Sequence, residues 1–396
     1  MNNSQEQAPG QAIRYVGLLC NCSTEKNPKD ELSPSLINRA FLIDRVLCPM
    51  GIRVFLFSPR DIKSPGAVPG YTIDGDGLLA TIQPVPRVNA NWTYGTRRLL
   101  RQGMGYSRFK RWVKDNQIRV YVPYAFAEMV SNKRKAYEVI REYDPDLHPH
   151  TEEYTGALSQ VDTFVGRASS VFIKPRAGNR GNRIFVLRTE PRGFSLKYYD
   201  QGGQRLFAPV TLEAAVSIVQ GVVGDQSYII QEGIESLRAD GAVFDVRVVM
   251  VNDGSNWHSI LETRLAPVGS DLSNIFQGGS IRITESLLAE LFGDRASLQL
   301  EQEIRRVSLG VCLHLETYFP GSLMEIGLDF IIDSDKNLHL VEVNSKPGVA
   351  GFGSETQLFE WQSDDEQSYR RWVQPHVAHL AGFLKAKIDH AGLSDT

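Results

Sequence analysis

The sequence predicts an α/β protein of two or three domains, and three observations carry that expectation. Its 396 residues exceed what one ordinary hydrophobic core organises. Residues 13–57 pass from strand to helix to strand periodicity, which is a βαβ unit. Residues 325–348 read as two apolar strands joined by a polar turn, with acidic residues set into the apolar runs.

Taken in order, residues 1–12 are polar, lack an apolar signal region and read as a disordered tail. A short apolar strand follows over 13–20. Leu36, Ile37, Ala40, Phe41, Ile43, Val46 and Leu47 then recur at helical spacing, and Gly51 ends that helix before a second strand over 52–57. The loop over 21–32 contains no glycine. Close approach of a dinucleotide pyrophosphate needs one there, so NAD and FAD are excluded from this unit. The stretch 59–86 is rich in Pro and Gly, and 71–77 within it reads as a hairpin. Arg97, Arg98, Arg101, Arg108, Lys110 and Arg111 form a basic cluster, read as a solvated helical face rather than an anion site. Residues 132–143 are helical until Asp144-Pro145 breaks them. Strands over 171–174 and 183–187 flank a Gly-containing loop. A helix over 212–223 and strands over 227–231 and 245–251 follow, then helices over 285–316 and about 369–390.

The formal net charge of −3 points to neither nucleic acid nor membrane as a partner. No apolar run approaches membrane-spanning length. Cys20, Cys22, Cys48 and Cys312 include no second Cys/His pair near Cys20-Asn-Cys22. They read as reduced thiols of a cytoplasmic protein, not as a zinc site.

Chemistry concentrates in 325–348. Side chains alternate faces along a strand, so Glu342 and Asn344 share one. A hairpin closing over Asp335-Lys336 puts Asp329 opposite Glu342, with Cβ atoms about 5 Å apart. Oxygen-only donors on a rigid hairpin suit Mg²⁺; the alternative is an edge hairpin whose acids face water. Lys174, at a strand end beside the glycine loop 177–183, is a phosphate-holding arrangement without the Walker A pattern. Lys133, at a helix start, is a second candidate cation. The strand end Gln231-Glu232-Gly233-Ile234 offers groups for an adenine edge, or is simply a buried strand with its turn. Arg247, in an apolar strand, needs an anionic partner. Arg264 precedes a Pro/Gly loop leading to Asn274 and Gly278-Gly279-Ser280. For both arginines a salt bridge within the fold is the alternative. Ser345-Lys346-Pro347-Gly348 follows Asn344 as a rigid turn with a cation, suited to a substrate carboxylate unless Lys346 points to water.

In this order the pieces resemble the ATP-grasp superfamily over roughly 121–353. With 57–62 and 70–77 they more closely resemble its endospore coat-associated YheC/YheD branch. The resemblance implies an ATP-grasp fold: a Rossmann-like pre-grasp α/β domain over 13–120, a small lid over 121–207 and a larger domain over 208–396. ATP is expected between the last two. It implies phosphate contacts from Lys133 and Lys174, a closing loop containing Gly178, Arg180 and Gly181, and adenine contacts from Gln231, Glu232, Gly233 and Ile234. Asp240 belongs to the same expected nucleotide set. Asp329, Glu342 and Asn344 are the expected ligands of one or two Mg²⁺ ions, with Mn²⁺ a possible substitute. Arg264, Asn274, Lys174 and Arg247 are the expected catalytic residues, and Ser345, Lys346 and Gly348 the expected substrate contacts. The implied activity joins a small-molecule carboxylate, such as an amino acid or peptide, to an amine through an acyl phosphate. A homo-oligomer is compatible with it. The alternatives are a non-catalytic, spore-coat type ATP-binding protein and a kinase. The sequence departs from common family patterns at Asn132, at Asn182 and Arg183, at Gly327 and at Leu272. The last two stand where related ligases carry arginines, and so bear on the acid substrate.

Overall fold

Three groups of strands with different burial patterns form three sheets in the computed structural model, which describes residues 13–22, 31–75, 77–93, 96–178, 182–200, 203–273, 279–348 and 369–393. The expected tail over 1–12 lies outside the described residues. The first sheet contains β1 (Arg14–Leu19), β2 (Ile52–Phe57), β3 (Ala67–Asp74), β4 (Gly77–Pro84), β5 (Val88–Asn91) and β6 (Arg119–Tyr121), in the order β4-β3-β2-β1-β5-β6. Strands β2, β1, β5 and β6 are parallel. The hairpin expected at 71–77 adds antiparallel to β2. The helix α1 (Pro34–Leu47) makes the βαβ crossover, with the Ser33 hydroxyl capping the Leu36 N–H and Ile37, Ala40, Phe41, Ile43 and Leu47 facing inward. The basic cluster lies on α2 (Thr96–Gln102) and α3 (Tyr106–Asp115). Phe109 and Trp112 are buried there, while Arg97 lies over the Tyr106 and Tyr124 rings.

The second sheet is antiparallel: β7 (Thr151–Glu153), β8 (Ser170–Pro175), β9 (Ile184–Glu190), β10 (Gly193–Asp200), β11 (Gly203–Val210) and β12 (Tyr228–Glu232), in the order β11-β10-β9-β8-β12-β7. The expected lid limit of 207 cuts through this layer. Val216 and Val219 of the helix over Leu212–Val223 and Ile230 of β12 share one apolar core with Phe164, Ile173 and Leu196. The unit that buries its own core therefore runs on to Glu232.

The third sheet contains β13 (Arg238–Ala239), β14 (Ala242–Asn252), β15 (Trp257–Leu265), β16 (Ser280–Arg282), β17 (Glu325–Ile332) and β18 (Leu338–Asn344). Its path is β16-β15-β14-β17-β18, with β13 on β14. It shares a core with the first sheet: Leu18, Val54 and Phe126 join Val248, Leu328 and Phe383 in one cluster. Across this junction Arg39 of α1 donates to both carboxylate oxygens of Glu325 at 3.1 and 3.2 Å, and to the Pro347 carbonyl at 3.0 Å. His376 of the last helix, Gln374–Leu393, meets the same carboxylate at 3.0 Å. Burial pushes the Glu325 carboxyl up, but the Arg39 charge and the His376 bond outweigh it and hold it below the ordinary range. Burial and the Arg39 charge push His376 down to about 4.

Arg39→Met leaves a buried carboxylate without its cation and should cost about 3–5 kcal/mol, read from urea unfolding. The pH dependence has a definite sign. Between an ordinary histidine value of about 6.5 and the His376 value of about 4 the unfolded chain binds more protons, so stability should fall as pH drops through that window. The Glu325 contribution is then lost at lower pH, as the acid falls through its depressed folded value. A melting temperature level from pH 6.5 to 4 contradicts this assignment.

Candidate active site

The two-residue period of a strand places alternate side chains of the third sheet on one face, and here that face carries a row of charge. Register sets Asp245 beside Arg264, Arg247 between Glu262 and Asp329, and Asp329 opposite Glu342. Arg247 grips Asp329 with Nε and Nη2, both at 2.8 Å. Arg264 reaches Asp329 at 2.9 Å while holding Asp245 at 2.7 Å through both Nε and Nη2. The Ser273 hydroxyl also donates to Asp245. Asp245, Glu262 and Asp329 are only 2–4% exposed, a cost that only paired cations offset. Burial raises the Asp329 carboxyl, but the two guanidinium charges overcome this and hold it far below the ordinary range. At Asp245 burial prevails over the shared Arg264, and the carboxyl is raised.

The cations expected at the small sheet converge on the other side of Glu342. Asn132 caps the helix Lys133–Tyr143, and its bridge to Ala177 brings Lys133 beside the glycine loop. Lys133 Nζ donates to the Gly178 carbonyl at 2.7 Å and stands 3.7 Å from Glu342. Lys174, on β8, donates to Gln231 Oε1 at 2.6 Å, and Gln231 Nε2 donates to Thr151 Oγ1 at 2.8 Å. Burial, with the Lys133 charge, pushes the Lys174 ammonium down to about 8 against the opposing pull of Glu342.

Some expected residues sit differently. The Gln231 amide is engaged with Lys174 and Thr151, so it positions the lysine instead of presenting its side chain to an adenine edge. The N–H groups of Glu232 and Gly233 donate to His150 and Ser170 carbonyls at 3.0 and 2.8 Å, which leaves Ile234 as the first residue beyond this pairing. A Cβ on Gly233 would lie 2.1 Å from Ser170 Oγ, so the glycine serves strand approach. Asp240 lies in the exposed turn between β13 and β14, 3.6 Å from Arg282. Lys346 turns toward the first sheet and donates to the Thr93 carbonyl. Burial pushes its ammonium down to about 8. Gly348 does lie at the row, since a Cβ there would be 3.9 Å from Arg247 Nη1. Ser345 is half-buried in the turn after β18. Arg180, Gly181, Asn274 and Gly278 lie outside the described residues.

Sequence reasoning passed over Asp245, Glu262 and Asp271. The first has a readable signal, because it stands two residues before Arg247 and so shares its face. Asp271 has none. Its partners Arg188 at 2.7 Å, Lys197 and Tyr199 at 2.9 Å come from β9 and β10 of the other sheet. At Gly327 a Cβ would meet Pro347 Cβ at 2.9 Å and Asn344 Cβ at 3.2 Å. The position that carries arginine in some ligases therefore has no room here for any side chain.

The donor set fits a hard cation under one condition. Asp329, Glu342 and Asn344 offer oxygens, as Mg²⁺ requires. Glu342 is open, with its side chain 35% exposed, and Asn344 Nδ2 is 3.5 Å from Asp329 Oδ2. Both Asp329 oxygens already accept from arginine, so an ion takes this carboxylate only by sharing an oxygen or by displacing a guanidinium.

A family model described as "YheC/D like ATP-grasp" matches residues 124–374. The endospore coat-associated protein YheD of Bacillus subtilis (strain 168) is 24% identical over 307 residues, covering 75% of this chain and 65% of that protein. The endospore coat-associated protein YheC of the same strain is 20% identical over 190 residues, 48% of this chain and 52% of its own. The chain thus matches less than two thirds of either relative's length. D-alanine–D-alanine ligase from Bacillus anthracis superposes with a TM-score of 0.51 at 10% identity, covering 97% of this chain and all of that one, which is a likeness of fold alone.

Arg264→Met should destabilise the fold by about 3–5 kcal/mol, because Asp245 loses its cation and Asp329 one of two. Gly327→Ala should cost about 1–3 kcal/mol by overpacking against Pro347. Both are read from urea midpoints at neutral pH. Unchanged midpoints would mean that the row and the Pro347 turn do not support the sheet.

Proposed function

The chain belongs to the YheC/D-like ATP-grasp family, and from that premise we propose that it is an ATP- and Mg²⁺-dependent carboxylate–amine ligase. The observation that supports this most is the convergence of Lys133, Lys174 and Glu342 at one end of a row that also holds Arg247, Arg264 and Asp329. ATP lies between the second and third sheets in this reading, with the adenine near Ile234. Lys133 and Lys174 meet the phosphates, the latter aimed by Gln231, and the loop starting at Gly178 closes over them. Asp329, Glu342 and Asn344 would hold Mg²⁺, which when bound neutralises the phosphoryl oxygens.

The carboxylate substrate attacks the γ-phosphorus and ADP leaves. An amine then attacks the acyl carbon, inorganic phosphate leaves, and an amide remains. Arg247 and Arg264 stabilise the charge that builds on the transferring phosphoryl group. As they turn to it they release Asp329, so nucleotide arrival and metal binding support each other. The acid is an amino acid or peptide, positioned near Ser345 and Gly348. Free cysteines and the use of ATP are in keeping with a cytoplasmic setting, and among the described residues no helix is long and apolar enough to cross a membrane.

One observation favours a second reading, a nucleotide-binding protein without turnover: the arginines occupy the carboxylate that a metal would need. Incubation with ATP, Mg²⁺ and pooled amino acids and peptides, read by mass spectrometry, separates the readings. Ligation gives ADP and a product lighter by one water than its two reactants. A product gaining a phosphoryl mass indicates a kinase, and ATP binding with no product indicates the second reading.

Glu342→Gln and Asp329→Asn each remove one charge with little change of shape. In the assay above, each should lower Mg²⁺-dependent turnover by about a hundredfold; Glu342→Gln should leave the urea midpoint unchanged, whereas Asp329→Asn should also lower it, because Arg247 and Arg264 lose their shared anion. Near-native activity in either variant removes the hairpin from the metal site.

Lys174, at about 8, should regain its proton when phosphate arrives. ATP binding at pH 8.5 should therefore take up protons, seen as a calorimetric enthalpy that changes with buffer ionisation enthalpy. Lys174→Gln should abolish that buffer dependence, and a wild type without it refutes the contact.

A further inference from the structure

The β14–β15 turn and the last helix form a second cluster of ligating side chains. Asp253 follows β14, His258 lies on β15, and His379 lies on the helix Gln374–Leu393. One nitrogen or oxygen from each lies within 4.8 Å of the others. The two imidazoles stack with centroids 3.7 Å apart and planes 7° from parallel. Asp253 Oδ2 is 2.7 Å from His258 Nε2, while Oδ1 accepts the Ser255 and Asn256 N–H groups, both at 2.8 Å. The backbone is built for close approach at this point. A Cβ on Gly254 would lie 2.8 Å from Ala386 Cβ, and one on Gly382 would lie 3.4 Å from the Asp253 carbonyl. The carboxylate is thus oriented by the turn, and the turn is seated on the helix that carries the second imidazole.

We infer that Asp253, His258 and His379 form a site for a transition-metal ion of the Zn²⁺ class, clipping the last helix to the β14–β15 turn. Two imidazole nitrogens and one carboxylate oxygen select Zn²⁺, Ni²⁺ or Cu²⁺ over Mg²⁺, which takes oxygen donors. Donors around tetrahedral Zn²⁺ stand roughly 3.3 Å apart at bond lengths of about 2.0–2.1 Å. The present spacing closes to that by side-chain rotation. The stack itself must open, because parallel rings do not aim their lone pairs at one point, so at least one ring turns about its Cβ–Cγ bond. Both histidines also line a cleft of about 520 Å³ with Trp257, Arg305 and Trp372, which leaves room for water at the remaining positions. This site is separate from the Asp329 row. Asp253 lies six residues beyond Arg247 in extended chain, about 20 Å along the strand.

The test uses the full chain without a histidine tag, stripped by chelator and then titrated with Zn²⁺ by calorimetry and with Co²⁺ by visible absorption. One equivalent of Zn²⁺ should bind with Kd below about 1 mM and raise the melting temperature. His258→Ala and His379→Ala should each weaken binding at least tenfold, while Glu342→Gln should leave it unchanged. The Co²⁺ spectrum should show nitrogen and oxygen ligation. The inference is overturned by wild-type binding weaker than about 1 mM, by binding that survives both histidine substitutions, or by thiolate bands that move the ion to Cys20 and Cys22. The wild-type titration and spectrum decide the matter even if a histidine variant fails to fold, and no readout depends on turnover.

Discussion

The grip of Arg247 and Arg264 on Asp329 is the constraint around which the third sheet is organised. Three acids and two guanidiniums share one buried face of β14, β15 and β17. Removing any one charge leaves another uncompensated in a medium that does not tolerate it. The opposite face of the same strands is Val246, Val248, Met250 and Leu328, which fill the core shared with the first sheet. Strand periodicity therefore separates one sheet into an apolar surface that builds the core and a charged surface that carries the candidate site. The 0% exposure of Glu325, at the end of the polar face, extends the row to Arg39 and His376. The same strand thus ties α1 and the last helix together at the junction of the first and third sheets.

The second sheet is joined to this row by side chains more than by a shared core. Its apolar cluster is its own. Its links across include the Gly178 carbonyl, which accepts from Lys133 on a helix whose Ile140 packs in the core of the first and third sheets, and Arg188, Lys197 and Tyr199 toward Asp271, with Ser273 two residues on holding Asp245. Polar bridges of this kind exchange partners at lower cost than interdigitated apolar side chains do. A unit tied in this way keeps its own core whatever its polar links do, which is compatible with the lid role given to it in the proposed function.

Much of the row was legible in the sequence because β structure has a period of two. The shared face of Glu342 and Asn344 and the need of Arg247 for an anion follow from it, and Asp329 does pair with Glu342, but through a register shift at Phe330 that a closure over Asp335-Lys336 does not contain. What could not be read depends on partners distant in sequence. Gln231 faces Lys174 across β12 and β8, and Lys346 finds a carbonyl 253 residues away. The expected limit at 207 falls inside β11, because the helix over Leu212–Val223 follows the hairpin without a break in composition and only its packing shows that it shares the second sheet's core. Gly327 read as a lost arginine. The structure gives it a positive reason, the close passage of Pro347 and Asn344.

The arginine grip also bears on how a metal could enter such a row. A carboxylate held by two guanidiniums is a poor ligand, since each donor satisfies lone pairs that an ion needs. The guanidiniums in turn are held by buried acids and leave them only for another anion. A phosphate group supplies that anion, and a divalent ion supplies the charge that the released carboxylate requires. Neither exchange is favourable alone, because each leaves a buried charge without a partner. Together they conserve pairing throughout. Under the proposed ligase reading, the nucleotide and the ion would on electrostatic grounds act at this row as one ligand, and the inward-facing acids that stabilise the sheet would make its loading cooperative.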